Sequence, residues 1–378
     1  VIMLGLYIHV PFCAQKCYYC DFNSYKINSN QKKEYLINIE REMKFYKGEF
    51  KDKCFDTVFF GGGTPSILTV DELKELVNNI NENFNIKKDA EITIECNPGT
   101  INREKLEAMK KMGINRLSIG LQATQNYHLK SIGRIHTYEE FEKNYYDALD
   151  IGFKNINIDL MYALPNQKTQ EWKDTLDKII KLNPSHISAY SLILEEGTKL
   201  YDMYQNKEFE LLDEDTDINM YNYTIDTLKR HGYNQYEISN YSKEGLECKH
   251  NIIYWKCDNY LGLGPGASGF IGDTRYSNIE DICEYNKCIM QNIRPVSEEI
   301  ELTKKDKIEE FIFMGLRMNE GINIDVFKER FDTDFYDIYQ EVMDKLIKIE
   351  LVRFDGKNIS LTQKGREISN SVFIEFLN

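Results

Sequence analysis

Short apolar runs alternate with longer amphipathic segments through the first half of the chain. The short runs end in polar or glycine-containing turns and predict β-strands, whereas the longer segments carry apolar residues every three to four positions and predict helices. Strands are expected over residues 5–10, 57–60, 91–95, 116–121, 155–160 and 186–191. Helices are expected over residues 31–46, 70–84, 102–112, 138–151 and 170–182.

This alternation predicts an α/β fold built from parallel strand–helix units. Six such units lie within residues 1–235, which we expect to form one domain, an incomplete and open (β/α)6 barrel. In barrels of this kind the chemistry sits at the carboxyl ends of the strands. The polar residues predicted at those ends are residues 61–64, Glu95, Gln122, Asp159 and Tyr190.

The alternation of strands and helices gives way to two other sequence patterns in the rest of the chain. Residues 236–295 are rich in Gly and Asn and predict a second segment with short strands. Residues 296–378 predict a third, with helices over 304–318, 325–330 and 335–349 followed by a hairpin that turns at Asp355-Gly356. Three helices and a hairpin are typical of a winged-helix-like module. Its helices are acidic, which favours a packing or partner-docking role over DNA binding.

Charge and cysteine content narrow the classes of function. The formal net charge of −14 argues against a nucleic-acid partner, because such partners require clustered Lys and Arg. No apolar run is long enough to span a membrane, and the apolar N-terminus predicts a first strand because it has no basic leader or cleavage site. Nine cysteines without a secretory signal indicate the reducing cytoplasm, where thiols serve metals or catalysis more often than disulfides.

Three cysteines follow the first predicted strand in the sequence PFCAQKCYYCDF. Cys13, Cys17 and Cys20 are spaced so that three thiolates can converge on one cluster. A [4Fe–4S] cluster has four irons, so three cysteines leave one iron open to an added chelating ligand. The alternatives are structural zinc with a distant fourth ligand, such as Cys54 or Cys96, and chance cysteines without a metal.

A second motif, FGGGTPS, covers residues 60–66 at the end of the second predicted strand. Consecutive glycines let backbone groups approach a ligand closely, and such a position suits a small anionic group. An ordinary glycine-rich turn would have the same sequence, so this motif alone is weak evidence for a ligand site.

Taken together, YIHVPFCAQKCYYC and GGGTPS resemble the radical S-adenosylmethionine (SAM) superfamily. Within it, the chain resembles the group that contains oxygen-independent coproporphyrinogen III oxidase and the heme chaperones of the HemW type. The similarity extends over nearly the whole chain. It includes IECNPG (94–99), RLSIGLQ (116–122), IGRIHT (132–137), NIDLMYALP (157–165), SAYSLILEEGT (188–198) and EISNYSKEGLECKHNIIYW (237–255).

The resemblance implies a radical-SAM barrel with specific cofactor ligands. Cys13, Cys17 and Cys20 would bind a [4Fe–4S] cluster whose fourth iron is chelated by SAM. The residues that would contact SAM or pack beside it are Tyr7, Gly62, Gly63, Thr64, Glu95, Gln122, Arg134 and Asp159. The alternative for the four last-named side chains is that they satisfy one another at the barrel mouth.

Two features separate the heme chaperones from the oxidases. The oxidase motif continues to a fourth cysteine two residues after the third, and here that position is Phe22. The sequence HNIIYW, residues 250–255, matches a signature associated with heme binding in the chaperones. His250 is therefore the candidate heme contact, since imidazole is a common axial ligand of heme iron. A buried histidine beside core aromatics is the competing interpretation.

The resemblance thus predicts a heme chaperone that delivers heme to apo-hemoproteins such as respiratory enzymes, with no catalytic residue assigned. It also predicts a homodimer. The alternative is a coproporphyrinogen III oxidase, an enzyme that oxidatively decarboxylates porphyrinogen propionates with a SAM-derived radical.

Overall fold

A computed structural model describes residues 2–377, and its secondary structure follows the predicted alternation. Its strands are β1 (Leu4–Val10), β2 (Phe12–Cys13), β3 (Tyr25–Lys26), β4 (Cys54–Gly62), β5 (Asn85–Cys96), β6 (Arg116–Gln122), β7 (Asn155–Tyr162), β8 (His186–Ser191), β9 (Asn234–Gln235), β10 (Asn240–Ser242), β11 (Asn259–Leu263), β12 (Ser268–Ile271), β13 (Thr274–Asn278), β14 (Val296–Glu301), β15 (Ile322–Asn323), β16 (Val352–Phe354) and β17 (Asn358–Leu361).

The helices lie mainly between these strands. They are α1 (Ser29–Tyr46), α2 (Val70–Asn83), α3 (Arg103–Lys111), α4 (Asn126–Ser131), α5 (Tyr138–Ile151), α6 (Thr169–Leu182), α7 (Lys199–Gln205), α8 (Glu214–Arg230), α9 (Lys249–Trp255), α10 (Ile282–Met290), α11 (Lys304–Gly315), α12 (Ile324–Phe331), α13 (Phe335–Lys348), α14 (Gln363–Glu367) and α15 (Ser369–Ile374).

Local sequence signals explain where individual helices begin and end. α5 begins after Thr137, whose side chain accepts from the backbone N–H of Glu140 while the Glu140 side chain caps Thr137 in return. It ends at Gly152, which adopts a left-handed conformation with φ of 93°. The helix bounds therefore coincide with the predicted residues 138–151.

The main sheet has twelve strands in the order β14-β13-β12-β11-β1-β4-β5-β6-β7-β8-β10-β9. The six predicted strands are neighbours within it and run parallel from β1 to β8. The strands β14 and β9 form two separate edges, so the barrel is open. The predicted α/β class and incomplete barrel are confirmed.

β11 extends the parallel part of the sheet in a way that the alternation did not predict. It pairs with β1 in parallel, with Tyr7 opposite Gly262, and the antiparallel strands β12, β13 and β14 continue from it. β14 (Val296–Glu301) belongs to this sheet, and the proposed divisions at residues 235 and 295 stay predictions.

The C-terminal helical module has a core of its own. Helices α11, α12 and α13 surround buried aromatic side chains, among them Phe311, Phe327 and Phe335. The predicted hairpin forms from β16 and β17, and β15 adds a third antiparallel strand. Within residues 2–377, no helix has the length and apolar character needed to cross a membrane.

Candidate functional site

The three cysteines lie in the loop that leaves the carboxyl end of β1. Cys13 belongs to the two-residue strand β2, which pairs in parallel with β3, and it is nearly buried. Cys17 and Cys20 are partly exposed. The end of β4 packs directly on this loop, because the backbone N–H of Thr64 donates to the carbonyl of Phe12 over 2.8 Å. The loop is thus held at the expected edge of the sheet.

A chain of hydrogen-bonded polar side chains connects two of these thiols. The Thr64 hydroxyl donates to Cys13 Sγ over 3.4 Å, and Asn97 Nδ2 donates to Thr64 Oγ1 over 2.9 Å. Arg134 then donates from one terminal nitrogen to Asn97 Oδ1 over 3.1 Å and from the other to Cys17 Sγ over 3.4 Å. Donors aimed at sulfur favour thiolates, so this arrangement suits ligands of an iron–sulfur cluster.

Asn97 was not singled out from the sequence, although it lies in the IECNPG segment directly after β5. The signal that could have identified it is its position one residue beyond a strand end. Arg134 also has a second property relevant to a ligand. Its Nε is buried and makes no hydrogen bond, which leaves a donor for an incoming anionic group.

Burial controls the protonation of the free thiols. It raises the pKa of Cys13, and it raises the pKa of Cys20 to about 11, with the neighbouring Cys17 adding to both shifts. Thiols with such pKa values are protonated at neutral pH. Binding of iron must therefore release protons, as is general for cysteine ligands.

The two cysteines considered as a fourth ligand of structural zinc lie at different ends of the sheet, since Cys96 is buried at the end of β5 and Cys54 is exposed. Cys54 begins β4, and because β1 and β4 are parallel it lies at the opposite end of the sheet from the cysteine loop. Among residues 2–377, no three His, Cys, Asp or Glu side chains are close enough together to hold a single ion. A [4Fe–4S] cluster has a different requirement, because its three cysteines bind three different irons.

The glycines of the second motif are required by packing. A Cβ at Gly63 would lie 2.7 Å from the Phe12 carbonyl oxygen, and Gly62 has φ of 106°. The Gly62 N–H donates to Glu95 Oε2 over 3.2 Å, and the Gly63 N–H donates to the Val10 carbonyl. These two residues therefore bring β4 against the cysteine loop, and their contact with SAM stays a prediction.

Glu95 and Asp159 are partly buried carboxyl groups near the carboxyl ends of β5 and β7. The pKa of Glu95 is raised to about 8, mainly by burial and in addition by the nearby charge of Asp159. Asp159 accepts from Ser118 Oγ over 3.1 Å and from Asn157 Nδ2 over 2.8 Å, and burial raises its pKa as well. A bound cation such as an ammonium group would stabilise the ionised forms of both.

Tyr7 and Gln122 are the remaining residues predicted to contact SAM. Tyr7 is on β1, and its hydroxyl lies 3.0 Å from Nδ1 of His9. Gln122 is the last residue of β6 and is buried with φ of 72°, at a point where the β6–β7 register shifts. Phe22, by contrast, is 59% exposed. The roles assigned to these side chains stay predictions.

His250 lies at the other end of the sheet. It is in the first turn of α9 and is 1% exposed. Its Nδ1 is 2.7 Å from the hydroxyl of Thr57 near the start of β4, and its Nε2 is 2.8 Å from the hydroxyl of Tyr254. Burial, with a further contribution from the Arg116 charge, lowers the pKa of His250 to about 3, so the imidazole is neutral. The structure therefore does not bring His250 together with the cysteines.

Two cavities adjoin α9. One, of about 330 Å³, is lined by aromatic residues that include Tyr254, Trp255 and Tyr260. The other, of about 690 Å³, lies between the end of α9 and the C-terminal module and includes Arg330 in its wall. Trp255 and Cys257 line both cavities. Their volumes fall in the range of sites for small molecules and cofactors.

We expect Cys17→Ser to lose more than about tenfold in bound iron and sulfide after anaerobic reconstitution, because even outer-shell changes cost 10–100-fold in metal affinity. The measurement is iron and sulfide content together with visible absorbance. Cys54→Ser is the matched control and should retain the cluster, since Cys54 is exposed at the far end of β4. Equal iron content in the two variants would contradict this assignment.

Comparison with known proteins agrees with this fold. Residues 7–179 match the sequence profile of the Radical SAM superfamily, and residues 302–368 match that of the HemN C-terminal domain. The solved structure of coproporphyrinogen III oxidase (HemN) from Escherichia coli, described as a radical SAM enzyme, superimposes with a TM-score of 0.87. It is 26% identical and the match covers 100% of this chain and 90% of that one.

Curated relatives match over almost the full length. A protein of Lactococcus lactis named heme chaperone HemW is 37% identical over 375 residues, which are 98% of this chain and 96% of the relative. A Bacillus subtilis protein of the same name is 36% identical over 376 residues, covering 99% of both. The chain therefore belongs to the radical SAM superfamily and, within it, to the HemW family.

Proposed function

We propose that this chain is a heme chaperone, which binds heme and transfers it to apo-hemoproteins such as respiratory enzymes. The observation that carries the proposal is the similarity over 98% of the chain to a protein named heme chaperone. The cavities beside α9 support it, because they place aromatic surface next to the HNIIYW helix.

His250 is the proposed axial ligand of the heme iron. Its imidazole is neutral, which is the form that binds metals. Tyr254 and Trp255 offer flat apolar surface for a porphyrin in the adjoining cavity. In the free protein the Nε2 atom is hydrogen-bonded to Tyr254, so coordination requires that this bond be exchanged for one to iron.

The cysteine loop is the proposed site of a SAM-liganded [4Fe–4S] cluster. Cys13, Cys17 and Cys20 would hold three irons, and Arg134 has a free buried Nε for the carboxylate of SAM. When bound, the cluster and SAM would supply one-electron chemistry or a signal that governs heme transfer. Glu95 and Asp159 would then accept from the ammonium or ribose groups of SAM.

Compartment and assembly state belong to the same proposal. The nine cysteines and the acidic net charge support a cytoplasmic protein without a nucleic-acid partner. A homodimer is proposed from the resemblance to the heme chaperones.

Coproporphyrinogen III oxidase activity is the second candidate function. It is supported by the structural similarity to the Escherichia coli oxidase. Phe22 stands where the oxidase motif has its fourth cysteine, which favours the chaperone over the oxidase.

Heme titration of the cluster-free protein tests the main proposal. We expect one heme per chain to bind with a defined Soret band, and His250→Ala to weaken binding by at least about tenfold because the iron loses its imidazole. His231→Ala is the control, since His231 is exposed at the end of α8 and its Nδ1 lies 2.8 Å from the Thr227 carbonyl. An undiminished Soret band in His250→Ala would overturn the assignment of the ligand.

An anaerobic assay with coproporphyrinogen III, SAM and a reductant tests the second candidate. The chaperone proposal predicts no protoporphyrinogen above the background of a Cys17→Ser sample. Sustained product formation that depends on Cys17 would instead establish the oxidase function.

A further inference from the structure

The ring of His250 is held on both sides by hydroxyl groups. Thr57 contacts Nδ1 over 2.7 Å and Tyr254 contacts Nε2 over 2.8 Å. Phe59 stacks on the ring with centroids 5.0 Å apart, and a Cβ at Gly5 would lie within 3.2 Å of it. The imidazole is thus fixed in position and orientation by packing and by two hydrogen bonds.

The two hydrogen bonds differ in their chemistry. A phenol is more acidic than an aliphatic hydroxyl and is the stronger donor, so we assign Tyr254 as the donor to Nε2. The proton on the neutral ring is then on Nδ1 and is donated to Thr57. This tautomer is the one found in metal-binding histidines, which donate one ring N–H to the protein and keep the other nitrogen for the metal.

Tyr254 also separates His250 from open space. It lines the cavity of about 330 Å³, whereas His250 does not. Its ring meets His250 edge-on at a centroid distance of 5.1 Å and meets Tyr260, on the cavity wall, at 4.6 Å. Nε2 therefore faces the Tyr254 hydroxyl, and Tyr254 in turn lines the cavity.

We propose that Tyr254 is a gate that occupies the iron-binding position of His250 until heme displaces it. This inference rests on the proposed function, in which His250 is the heme ligand. Heme entry exchanges the hydrogen bond from Tyr254 for an iron–Nε2 bond, while Thr57 keeps the ring in its metal-binding tautomer. Because Tyr254 lines the cavity, open space adjoins the side chain that must turn.

The gate gives Tyr254 and Thr57 opposite effects on heme binding. Tyr254→Phe keeps the ring but removes the hydroxyl that contacts Nε2. The free protein then loses this hydrogen bond, whereas the heme complex, in which Nε2 binds iron, loses nothing. We expect heme to bind roughly two- to tenfold more tightly, the range that one neutral hydrogen bond provides. Thr57→Val removes the acceptor of the Nδ1 proton and lets the proton move to Nε2. We expect this variant to bind heme about tenfold more weakly.

The experiment is a hemin titration of the cluster-free full chain, followed by Soret absorbance and by electron paramagnetic resonance of the ferric complex. The control is Tyr233→Phe, which removes a buried hydroxyl that donates to the Pro184 carbonyl away from α9. It should bind heme like the unmodified protein. The Tyr254→Phe complex should keep the imidazole-ligated spectrum of the unmodified protein, while its affinity rises.

The outcomes separate the gate from the function on which it rests. Loss of binding in His250→Ala together with unchanged or weaker binding in Tyr254→Phe would overturn the gate and leave the ligand in place. Shifts of the same sign in Tyr254→Phe and Thr57→Val would also overturn it, because general damage to the site explains them. An unchanged spectrum in His250→Ala would remove both the proposed ligand and the gate.

Discussion

The buried carboxylate of Glu91 fixes the part of the molecule on which the heme proposal depends. It accepts the backbone N–H groups of Lys249 and His250, each over 3.1 Å, and so satisfies the first turn of α9. Buried backbone donors at a helix start require such a partner. Because Glu91 lies within β5 at the amino end of the parallel strands, α9 is anchored there, and His250 is placed beside Thr57 on β4.

This anchor puts the candidate heme site and the candidate cluster site at opposite ends of one sheet. The cysteine loop follows the last residue of β1, whereas His250 packs beside Gly5 near the first. At about 3.3 Å per residue, the two regions lie roughly 15–20 Å apart. Tyr7 is between them, because its ring stacks on His250 at 6.4 Å and its hydroxyl reaches His9. Heme and SAM would therefore bind without competing for the same space.

The sequence predicted the parallel units well, because their period and their capping residues are local. α5, with its Thr137–Glu140 capping box, begins and ends where predicted. The pairing of β11 with β1 was not predicted, since it joins residues about 255 positions apart and no local pattern encodes it. Because β11 follows α9 directly in the chain, its pairing with β1 brings the end of α9 next to the sheet.

The same limit applies to the candidate sites. The cysteine spacing identified the superfamily, but only the structure shows Asn97 between Thr64 and Arg134. The HNIIYW motif identified His250, while the side chains that contact both of its ring nitrogens come partly from a distant strand. A motif gives the residue types at a site, whereas the end of the sheet at which they gather depends on long-range packing.

A crystal structure of the chain with bound heme tests the central claim most directly. We expect a porphyrin in the cavities lined by Trp255, with iron on Nε2 of His250 and the Tyr254 hydroxyl displaced from that atom. Thr57 should still contact Nδ1. A heme bound at the cysteine loop, or beside α9 with the Tyr254–His250 hydrogen bond intact, would contradict it.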